Sequence, residues 1–397
     1  MKITDIDIIV TCPGRNYVIV KISTDAGIYG WGDATLNGRE LAVAETLEKH
    51  LKPLLLNKNP DNIEDIWQYI FRGTYWRGGP VLMTALAGID MALWDIKGKV
   101  AGLPLYSLLG GKSRDKVLCY THVYGKDFNS VKNEAEKHIK KGYKAIRIQV
   151  DIPGCEGTYG TNDSYSDKLP VQEIWEPSPY LQTIPELFKY LRKELGNEIE
   201  LLHDVHERLT PVEAKILASQ LEPYRLFFLE DPIRPEHKAS FNVFRQTAKI
   251  PIAMGELYNT KWEAMQVMEK QLIDYIRCDL SHIGGITEAK KIANIAEIYN
   301  IKTAWHGPAD ISPISHLANV HLDLSIPNFG IQEQTEFFPP EVKDVFSNLP
   351  LFKDGYLTVS DKAGLGIEID EEAACQYPYK RGYLPTSRRK DGSVQDW

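Results

Sequence analysis

Three acidic residues, Asp204, Glu230 and Glu256, follow one another along the chain at equal intervals of 26 residues. Each lies at the end of a short β-type run. Strand-plus-helix units of this length would bring the three carboxylates together at the C-terminal face of a parallel barrel. They would repel one another there unless a cation neutralised them. Oxygen-only ligands suit Mg²⁺. The alternative is that each residue only caps a helix, but the regular spacing favours a metal site.

Residues next to these acids could exchange protons. His206 follows Asp204 by two positions, so both side chains point to the same side of a strand. His203 has the opposite parity and is predicted to pack among the surrounding helices. Asp231 alternates away from Glu230 and is predicted to cap the following turn. The HDVHE run is not a zinc-peptidase motif, because its histidines are three apart on a strand rather than four apart on a helix.

Further charged residues end the later β-type runs or follow them closely. They are Arg277, His306, Asp310 and Glu333. A single charged residue at a strand end is usually just solvated. Together, however, these four would surround the predicted metal, and such a ring of titratable groups is typical of an active site.

Arg147, in the second β-type run, could activate a phenol. An arginine stays protonated and is a poor base, but it lowers the pKa of a neighbouring tyrosine by favouring the phenolate. The long polar segment 151–181 offers Tyr159, Tyr165 and Tyr180 as partners. The residues alone do not choose among the three. A connection of this length is expected to be a lid or a binding loop.

The elements that would hold these residues alternate between strand and helix. The β-type runs cover 118–123, 144–150, 198–204, 225–231, 250–256, 274–279, 301–307 and 329–333. Eight strands with crossover helices predict an α/β fold of the (β/α)₈ TIM-barrel type. An open doubly wound sheet is the alternative, but no glycine-rich phosphate loop follows the first strand.

The N-terminal part has a different pattern. A hairpin is predicted over 17–34, followed by helices over 39–53, 62–72 and 80–100. Strands followed by helices without alternation indicate a small α+β domain. We therefore predict an α+β capping domain over 1–113 and the barrel over 114–334. Residues 335–397 have hairpin character at their start and are predicted to return to the capping domain and complete it.

Composition excludes several classes of protein. The chain has 397 residues, 43% of them hydrophobic, and a net charge of −8, which argues against a nucleic-acid partner. The sequence contains no run of 18 apolar residues, so it predicts no membrane span. Asp5 and Asp7 stand where a signal peptide would need an apolar core. Five scattered cysteines without a CxxC indicate free thiols, and we expect a cytoplasmic protein.

Several segments resemble the enolase superfamily. The stretch ALAGIDMALWDIKGKVAGLPLYSLLGG (85–111) is similar to the end of its capping domain, and the three spaced acids resemble its metal ligands. More specifically, RIQV, HDVHE, LEDP, HGPAD and FGIQE resemble its D-mannonate dehydratase group, which includes proteins of the D-galactonate dehydratase family. The resemblance covers essentially the whole chain.

This resemblance implies a reaction. A sugar acid, D-mannonate first and D-gluconate second, would lose water to give 2-keto-3-deoxy-D-gluconate. Its carboxylate would bind Mg²⁺, which stabilises the developing enediolate. Tyr159, paired with Arg147, would remove the C2 proton, and His206 would protonate the departing C3 hydroxyl. Asp204, Glu230 and Glu256 would hold the metal.

The resemblance also implies which residues contact the substrate and how the chain assembles. The expected substrate contacts are Asn37, His122, Arg277, His306, Asp310, Glu333 and Trp397. The small-molecule partner would be a sugar acid, and the chain would form a homo-oligomer, a tetramer or larger.

Two departures bear on the exact reaction. Racemases and cycloisomerases of the superfamily carry Lys-x-Lys on the second strand, whereas this chain has Arg-Ile-Gln at 147–149, which favours dehydration. Pro308 resembles the residue that stands at this position in members of the group with weak D-mannonate turnover or D-gluconate use. The physical reason would be that proline fixes φ and removes an N–H beside His306. The alternatives are an epimerase of the same superfamily and a catalytically weak metal-binding barrel with a regulatory role.

Overall fold

The structure is a computed structural model, and it describes residues 1–73, 75–156, 165–166, 168–334 and 338–396. Two of the predicted site residues, Tyr159 and Trp397, lie outside these ranges. Their predicted roles therefore rest on the sequence.

The N-terminal cap is built on an antiparallel sheet of three strands, in the order β1-β2-β3. The strands are β1 (Ile3–Thr11), β2 (Tyr17–Thr24) and β3 (Tyr29–Asp33). Its helices are α1 (Glu40–Glu45), a π-helical turn (Thr46–Leu51), α2 (Lys52–Leu55), α3 (Ile63–Gly73), α4 (Pro80–Ala101) and α5 (Leu105–Leu108). The predicted hairpin and three helical regions are confirmed, although the first region is divided.

Helix α4 is the core of the cap. It begins at Pro80 and is capped at its C-terminus by Gly102, which has a φ of +66°. The helix approaches β3 very closely, since a Cβ at Gly32 would lie 1.8 Å from the carbonyl oxygen of Gly88. Glycines at this contact therefore let the helix rest directly on the sheet.

The barrel contains all eight predicted strands. They are β4 (Val117–Gly125), β5 (Ala145–Val150), β6 (Glu200–Asp204), β7 (Leu229–Glu230), β8 (Ile252–Met254), β9 (Tyr275–Ile276), β10 (Lys302–Thr303) and β11 (Gln332–Glu333). Each strand from β4 to β9 pairs in parallel with the next, and β11 pairs in parallel with β4. A parallel bridge from Thr303 to Phe329 completes the ring. A closed ring excludes the open-sheet alternative.

Among the described residues, seven α-helices lie between successive strands of the barrel. They are α6 (Phe128–Lys140), α7 (Pro177–Leu195), α8 (Pro211–Leu221), α9 (Lys238–Arg245), α10 (Lys261–Met268), α11 (Ile286–Ile298) and α12 (Pro313–Ser325). The segment predicted as a loop over 151–181 ends earlier than expected, because α7 starts at Pro177. Proline at the first turn of a helix lacks only an N–H that would be unpaired there anyway.

The barrel interior is layered. The lower layer is apolar and consists of Tyr120, Ala145, Leu202, Phe228, Ala253, Ala304 and Ile331, with Tyr275 packed against it. Two residues further along each strand, side chains again face inward. This upper layer consists of His122, Arg147, Asp204, Glu230, Arg277, His306 and Glu333, together with Glu256. Strand β8 is the exception: Glu256 follows Ala253 by three residues, and Gly255 between them has a φ of +133°.

The C-terminal segment contacts both domains. It contains α13 (Val342–Val345), β12 (Phe346–Ser347), β13 (Leu351–Lys353), β14 (Tyr356–Thr358), β15 (Glu368–Ile369) and α14 (Glu371–Cys375). The predicted hairpin is β13–β14, and it pairs with β4 of the barrel rather than with the cap. The chain then returns to the cap, where Thr11 Oγ1 donates to the carbonyl of Ala374 at 2.9 Å. The domain boundaries at 113 and 334 stay a prediction.

Two sequence-based expectations concern the whole chain. All five cysteines lie in the described ranges, and none of them forms a disulfide there. Within the ranges that the structure describes, no helix combines the length and the apolar character needed to cross a membrane.

Candidate active site and metal centre

The carboxylates of the upper layer form two overlapping clusters. Asp204, Glu230 and Asp231 each place one oxygen within 4.8 Å of the others, and so do Glu207, Asp231 and Glu256. The three predicted metal ligands are thus divided between clusters that share Asp231. Asp204, Glu230 and Asp231 are almost completely buried.

Asp231 does not simply cap a turn, as predicted, and it does not point away from the site. The φ of +39° at Asp231 interrupts the alternation of side chains along an extended strand, and the φ of +55° at Glu207 has the same effect. Asp231 Oδ1 accepts a hydrogen bond from the backbone N–H of Gly255 at 3.3 Å, whereas its buried Oδ2 has no hydrogen-bond partner among the described residues. The sequence reasoning missed both acids, although each directly follows a residue assigned to the site.

The clusters carry buried negative charge that the neighbouring cations do not fully compensate. Burial raises the pKa of Glu230, Asp231 and Glu207 well above the ordinary range. Burial also opposes the charge on Asp204, but His206 and Arg147 hold its pKa below the ordinary value. Within the described residues, neither oxygen of Glu230 accepts a hydrogen bond, although Oε1 forms an ion pair with Arg277. Buried oxygen-only donors of this kind fit a divalent cation such as Mg²⁺.

Two arginines lie within this layer. Arg147 Nη1 donates to Asp204 Oδ2 at 2.9 Å. Arg277 Nη2 lies 2.6 Å from Glu230 Oε1, 3.2 Å from Glu256 Oε2 and 3.0 Å from Glu333 Oε2. Arg277 was predicted to contact substrate, yet its side chain is completely buried among these acids. Both arginines therefore offset the charge of the carboxylates and fix their positions.

His122 bridges Glu333 and Arg147 within this layer, and its imidazole is neutral. Its Nε2 lies 2.5 Å from Glu333 Oε1, and its Nδ1 lies 3.1 Å from Arg147 Nη2. A carboxylate only accepts and a guanidinium only donates, so the imidazole proton must be on Nε2. Burial and the charge of Arg147 lower the pKa of His122 to about 4.

His206 lies beside the predicted metal ligands. Its Nε2 is 3.0 Å from Asp204 Oδ2 and 3.9 Å from Glu256 Oε1. Its backbone N–H donates to Asp204 Oδ1 at 2.9 Å, and its φ of +55° is unusual for a residue with a side chain. Such strained backbone is held in place by surrounding contacts and is frequent at functional sites.

His306 pairs with an acid that the sequence reasoning missed. Its Nδ1 donates to Asp279 Oδ2 at 2.7 Å, and its Nε2 lies 3.5 Å from Glu256 Oε2. Burial opposes a charge on His306, but Glu256, Asp279 and Glu333 raise its pKa to about 10. The imidazole is therefore protonated at neutral pH. The available signal was parity, since Asp279 follows Arg277 by two positions.

The cap reaches this face of the barrel through Asn37. Its Nδ2 donates to Asp310 Oδ2 at 3.1 Å, so two predicted substrate contacts from different domains meet directly. The structure thus gathers Asn37 and Asp310 at the barrel mouth on which the upper layer opens.

Two of the three candidate tyrosines have other partners. Tyr180 bonds through its hydroxyl to Nε2 of His203 at 2.7 Å, and His203 packs on the outside of the barrel as predicted. Tyr165 accepts a hydrogen bond from the backbone N–H of Asn16 in the cap at 2.9 Å. Tyr159 lies outside the described residues.

Comparisons with known proteins agree with this architecture. Residues 8–110 match the N-terminal domain of the mandelate racemase / muconate lactonizing enzyme family, and residues 130–373 match the enolase C-terminal domain-like family. A D-mannonate dehydratase of Caulobacter vibrioides and a D-galactonate dehydratase family member of Cellvibrio japonicus are each 50% identical to this chain, with 100% of both chains covered.

A solved structure gives the same result. The crystal structure of an enolase from Pantoea ananatis, with bound D-gluconate and Mg, is 45% identical, covers 100% of both chains and superposes with a TM-score of 0.94. The chain therefore belongs to the mandelate racemase / muconate lactonizing enzyme family of the enolase superfamily.

Proposed function

We propose that this protein is a Mg²⁺-dependent hydro-lyase that dehydrates a sugar acid, D-mannonate or D-gluconate, to 2-keto-3-deoxy-D-gluconate. One observation carries the proposal. The buried carboxylates at the mouth of the barrel lie beside titratable residues, in a chain that is 50% identical over its full length to D-mannonate dehydratases. The D-gluconate bound to the Pantoea ananatis enolase supports the second substrate.

The metal would be held by Asp204, Glu230 and Glu256. Glu207 and Asp231 lie within the same pair of clusters and would add negative charge around the ion. When bound, Mg²⁺ would offset the charge that develops on the substrate carboxylate as the C2 proton leaves.

The proton transfers are assigned to the chain's own residues. Tyr159, as the phenolate, would take the C2 proton, with Arg147 favouring that ionised form. In the first step, the electron pair of the C2–H bond would delocalise into the substrate carboxylate to give an enediolate. In the second step, the carboxylate would re-form and the pair would become the C2–C3 double bond as the C3–O bond breaks. His206 would give its proton to the departing hydroxyl, which leaves as water, and the enol then tautomerises to the 2-keto acid. The engagement of Tyr165 and Tyr180 elsewhere supports Tyr159.

The remaining residues are proposed to bind the sugar acid. They are Asn37, His122, Arg277, His306, Asp310, Glu333 and Trp397. Protonated His306 would donate to a substrate oxygen. The neutral His122 would exchange its contact with Glu333 or Arg147 for one with the substrate. The complete burial of Arg277 among carboxylates indicates that it acts on substrate mainly through Glu333 and the metal ligands.

Assembly and location are part of the proposal. We propose a cytoplasmic homo-oligomer, a tetramer or larger. Two adjacent aromatic side chains on the cap, Tyr75 and Trp76, are 74% and 84% exposed, as expected at an interface between subunits. Light scattering coupled to size exclusion would measure the assembly.

The test is product formation by purified protein with Mg²⁺, offered D-mannonate and D-gluconate separately. The 2-keto-3-deoxy product would be detected with semicarbazide, and chelation of the metal should abolish it. Formation of a C2 epimer without keto product would support the epimerase alternative instead. Binding of a sugar acid without any turnover would support the regulatory one.

The roles of the two proton-transfer residues can be separated in D₂O. Tyr159→Phe should abolish both C2 hydrogen exchange and product formation. His206→Asn should abolish product while C2 exchange continues, because only the second step loses its acid. Turnover that survives Tyr159→Phe would refute the assignment of the base.

A further inference from the structure

The loop over residues 306–312 carries His306 and Asp310, and its first half is held by the barrel. The backbone N–H of Gly307 donates to Glu333 Oε2 at 2.8 Å. The carbonyl of Pro308 is 2.9 Å from His316 Nε2 on α12. With the bond from His306 to Asp279, three successive residues are tied to barrel elements.

The second half of the same loop is held by the cap. The three anchors are the Tyr17 hydroxyl, which donates to the carbonyl of Ala309 at 3.1 Å, the Asn37 amide, which donates to Asp310, and Asp33 Oδ2, which accepts from the backbone N–H of Ser312 at 2.8 Å. The boundary between barrel and cap anchors thus falls between Pro308 and Ala309. His306 depends on one domain and Asp310 on the other.

Asp33 is a buried anchor whose two carboxylate oxygens are both held by hydrogen bonds. It ends β3, is completely buried, and has no ion pair in the part of the chain that the structure covers. Its Oδ1 accepts from the N–H and the hydroxyl of Thr35, while Oδ2 accepts from Ser312, the N-cap residue of α12. A buried carboxylate is costly unless hydrogen bonds replace its hydration, and here they join two domains.

We propose that Tyr17 and Asp33 are positioning residues, which set the place of Asp310 relative to His306 and thereby the selectivity between sugar acids. The nature of the ligand in this inference rests on the proposed function. Neither residue is assigned to substrate, base, acid or metal. Their effect would pass through the backbone of the 306–312 loop. Its two halves carry His306 and Asp310 and are anchored to different domains.

Two conservative variants test the anchors. Tyr17→Phe removes only the hydroxyl that reaches Ala309. Asp33→Asn leaves one oxygen to accept, so either the bond to Ser312 or the bonds to Thr35 are lost. Controls on the cap are Tyr29→Phe, whose hydroxyl donates to Glu368, and Asp95→Asn, a buried acid that accepts from backbone N–H groups elsewhere and also pairs with Lys99 at 2.9 Å.

The kinetic readout separates positioning from general destabilisation. For Tyr17→Phe we expect KM for the sugar acid to rise about fivefold, as for the loss of one neutral hydrogen bond, with kcat within about twofold. The ratio of kcat/KM for D-mannonate to that for D-gluconate should shift, and Mg²⁺ affinity should not. Both control variants should match the unmodified protein in KM, in kcat and in this substrate ratio.

A second readout does not depend on activity. Hydrogen exchange measured by mass spectrometry should become faster in peptides covering 306–316 in Tyr17→Phe and Asp33→Asn, and not in the controls. Exchange, KM and substrate ratio equal to those of the controls would overturn the inference, as would faster exchange without any kinetic change. A protein that converts no sugar acid would instead refute the proposed function, and exchange would still decide whether the cap holds this loop.

Discussion

The lower and upper layers of the barrel are built on the same eight strands, yet they have opposite character. In the lower layer, alanines at 145, 253 and 304 alternate with large side chains such as Phe228 and Ile331 and fill the interior. Two residues further along the strands, nearly every inward position is charged or titratable. Depth along the strand, rather than the choice of strand, therefore separates packing from chemistry in this protein.

Only the upper layer reduces the stability of the fold. The lower layer removes apolar surface from water and stabilises the fold. The upper layer buries carboxylates such as Glu230, whose oxygens accept no hydrogen bond from any residue that the structure describes. Buried charges that are incompletely paired destabilise a fold unless a ligand compensates them. Substitutions in the two layers should therefore separate stability from function.

The largest effect is expected for Glu230→Gln. Loss of a proposed metal ligand should lower kcat/KM by about 1000-fold. Without Mg²⁺, the variant should be as stable as the unmodified protein or more stable, because burial raises the pKa of Glu230 and a neutral amide avoids the cost of charging this buried group. Thermal unfolding with and without Mg²⁺, combined with turnover, measures both effects.

Glu288 provides the matched control for that prediction. Its side chain is also completely buried, but it forms an ion pair with Lys261 at 2.9 Å, away from the barrel mouth. Glu288→Gln should reduce stability and leave turnover unchanged. If Glu230→Gln lost stability to the same extent, the contrast between the layers would be wrong.

Phe228→Ala should show the reverse pattern. Its ring lies 6.1 Å from that of Tyr120 and 5.3 Å from that of Tyr275, so truncation leaves a cavity in the lower layer. We expect the free energy of unfolding to fall by about 3–5 kcal/mol, with Mg²⁺ affinity within about twofold. Urea unfolding and calorimetric Mg²⁺ titration measure the two quantities. Phe227→Ala, at a partly buried neighbour, should cost less.

Gly255→Ala tests strand β8, where the inward residues of the two layers, Ala253 and Glu256, are three positions apart instead of two. A φ of +133° is strained for any residue with a Cβ, and that Cβ would lie 3.1 Å from Ile276 Cδ1. We expect a loss of about 1–3 kcal/mol of stability and weaker Mg²⁺ binding, because Glu256 follows directly. Alanine at Gly27, a hairpin-turn glycine with open space around its Cβ position, should cost stability alone.

The sequence predicted the barrel well because its signals are local. Each strand is a short apolar run, and the carboxyl ends of parallel strands meet at one face whatever the loops do. This rule alone brought Asp204, Glu230 and His306 together. The same reasoning missed the start of α7, because residues 177–181 were assigned to the long polar segment 151–181.

The failures concern positions where backbone geometry departs from a regular strand. Parity placed Asp231 outside the site, but its positive φ turns it inward. Charge pairing was also invisible, since nothing in the sequence indicates that Arg277 contacts Glu230, Glu256 and Glu333 at once. Long-range contacts such as that between Asp33 and Ser312 depend on how the cap sits on the barrel, which no local pattern encodes.

The smallest effect is expected one residue before Asp204, at His203. Burial lowers the pKa of His203 to about 4, and its neutral ring joins Ile148 and Tyr180. The unfolded chain takes up a proton near pH 6.5 that the folded chain does not, so stability falls as the pH drops from about 6.5 to 4.

His203→Gln keeps a donor and an acceptor but cannot titrate. The slope of unfolding free energy against pH should fall by up to about 1.4 kcal/mol per pH unit in that window, as measured by urea unfolding without Mg²⁺. The exposed His50→Gln serves as control. An unchanged slope in His203→Gln would mean that the other buried histidines carry the pH dependence. Because His203 faces away from the upper layer, a reduced slope with normal turnover would extend the contrast to the two sides of a single strand.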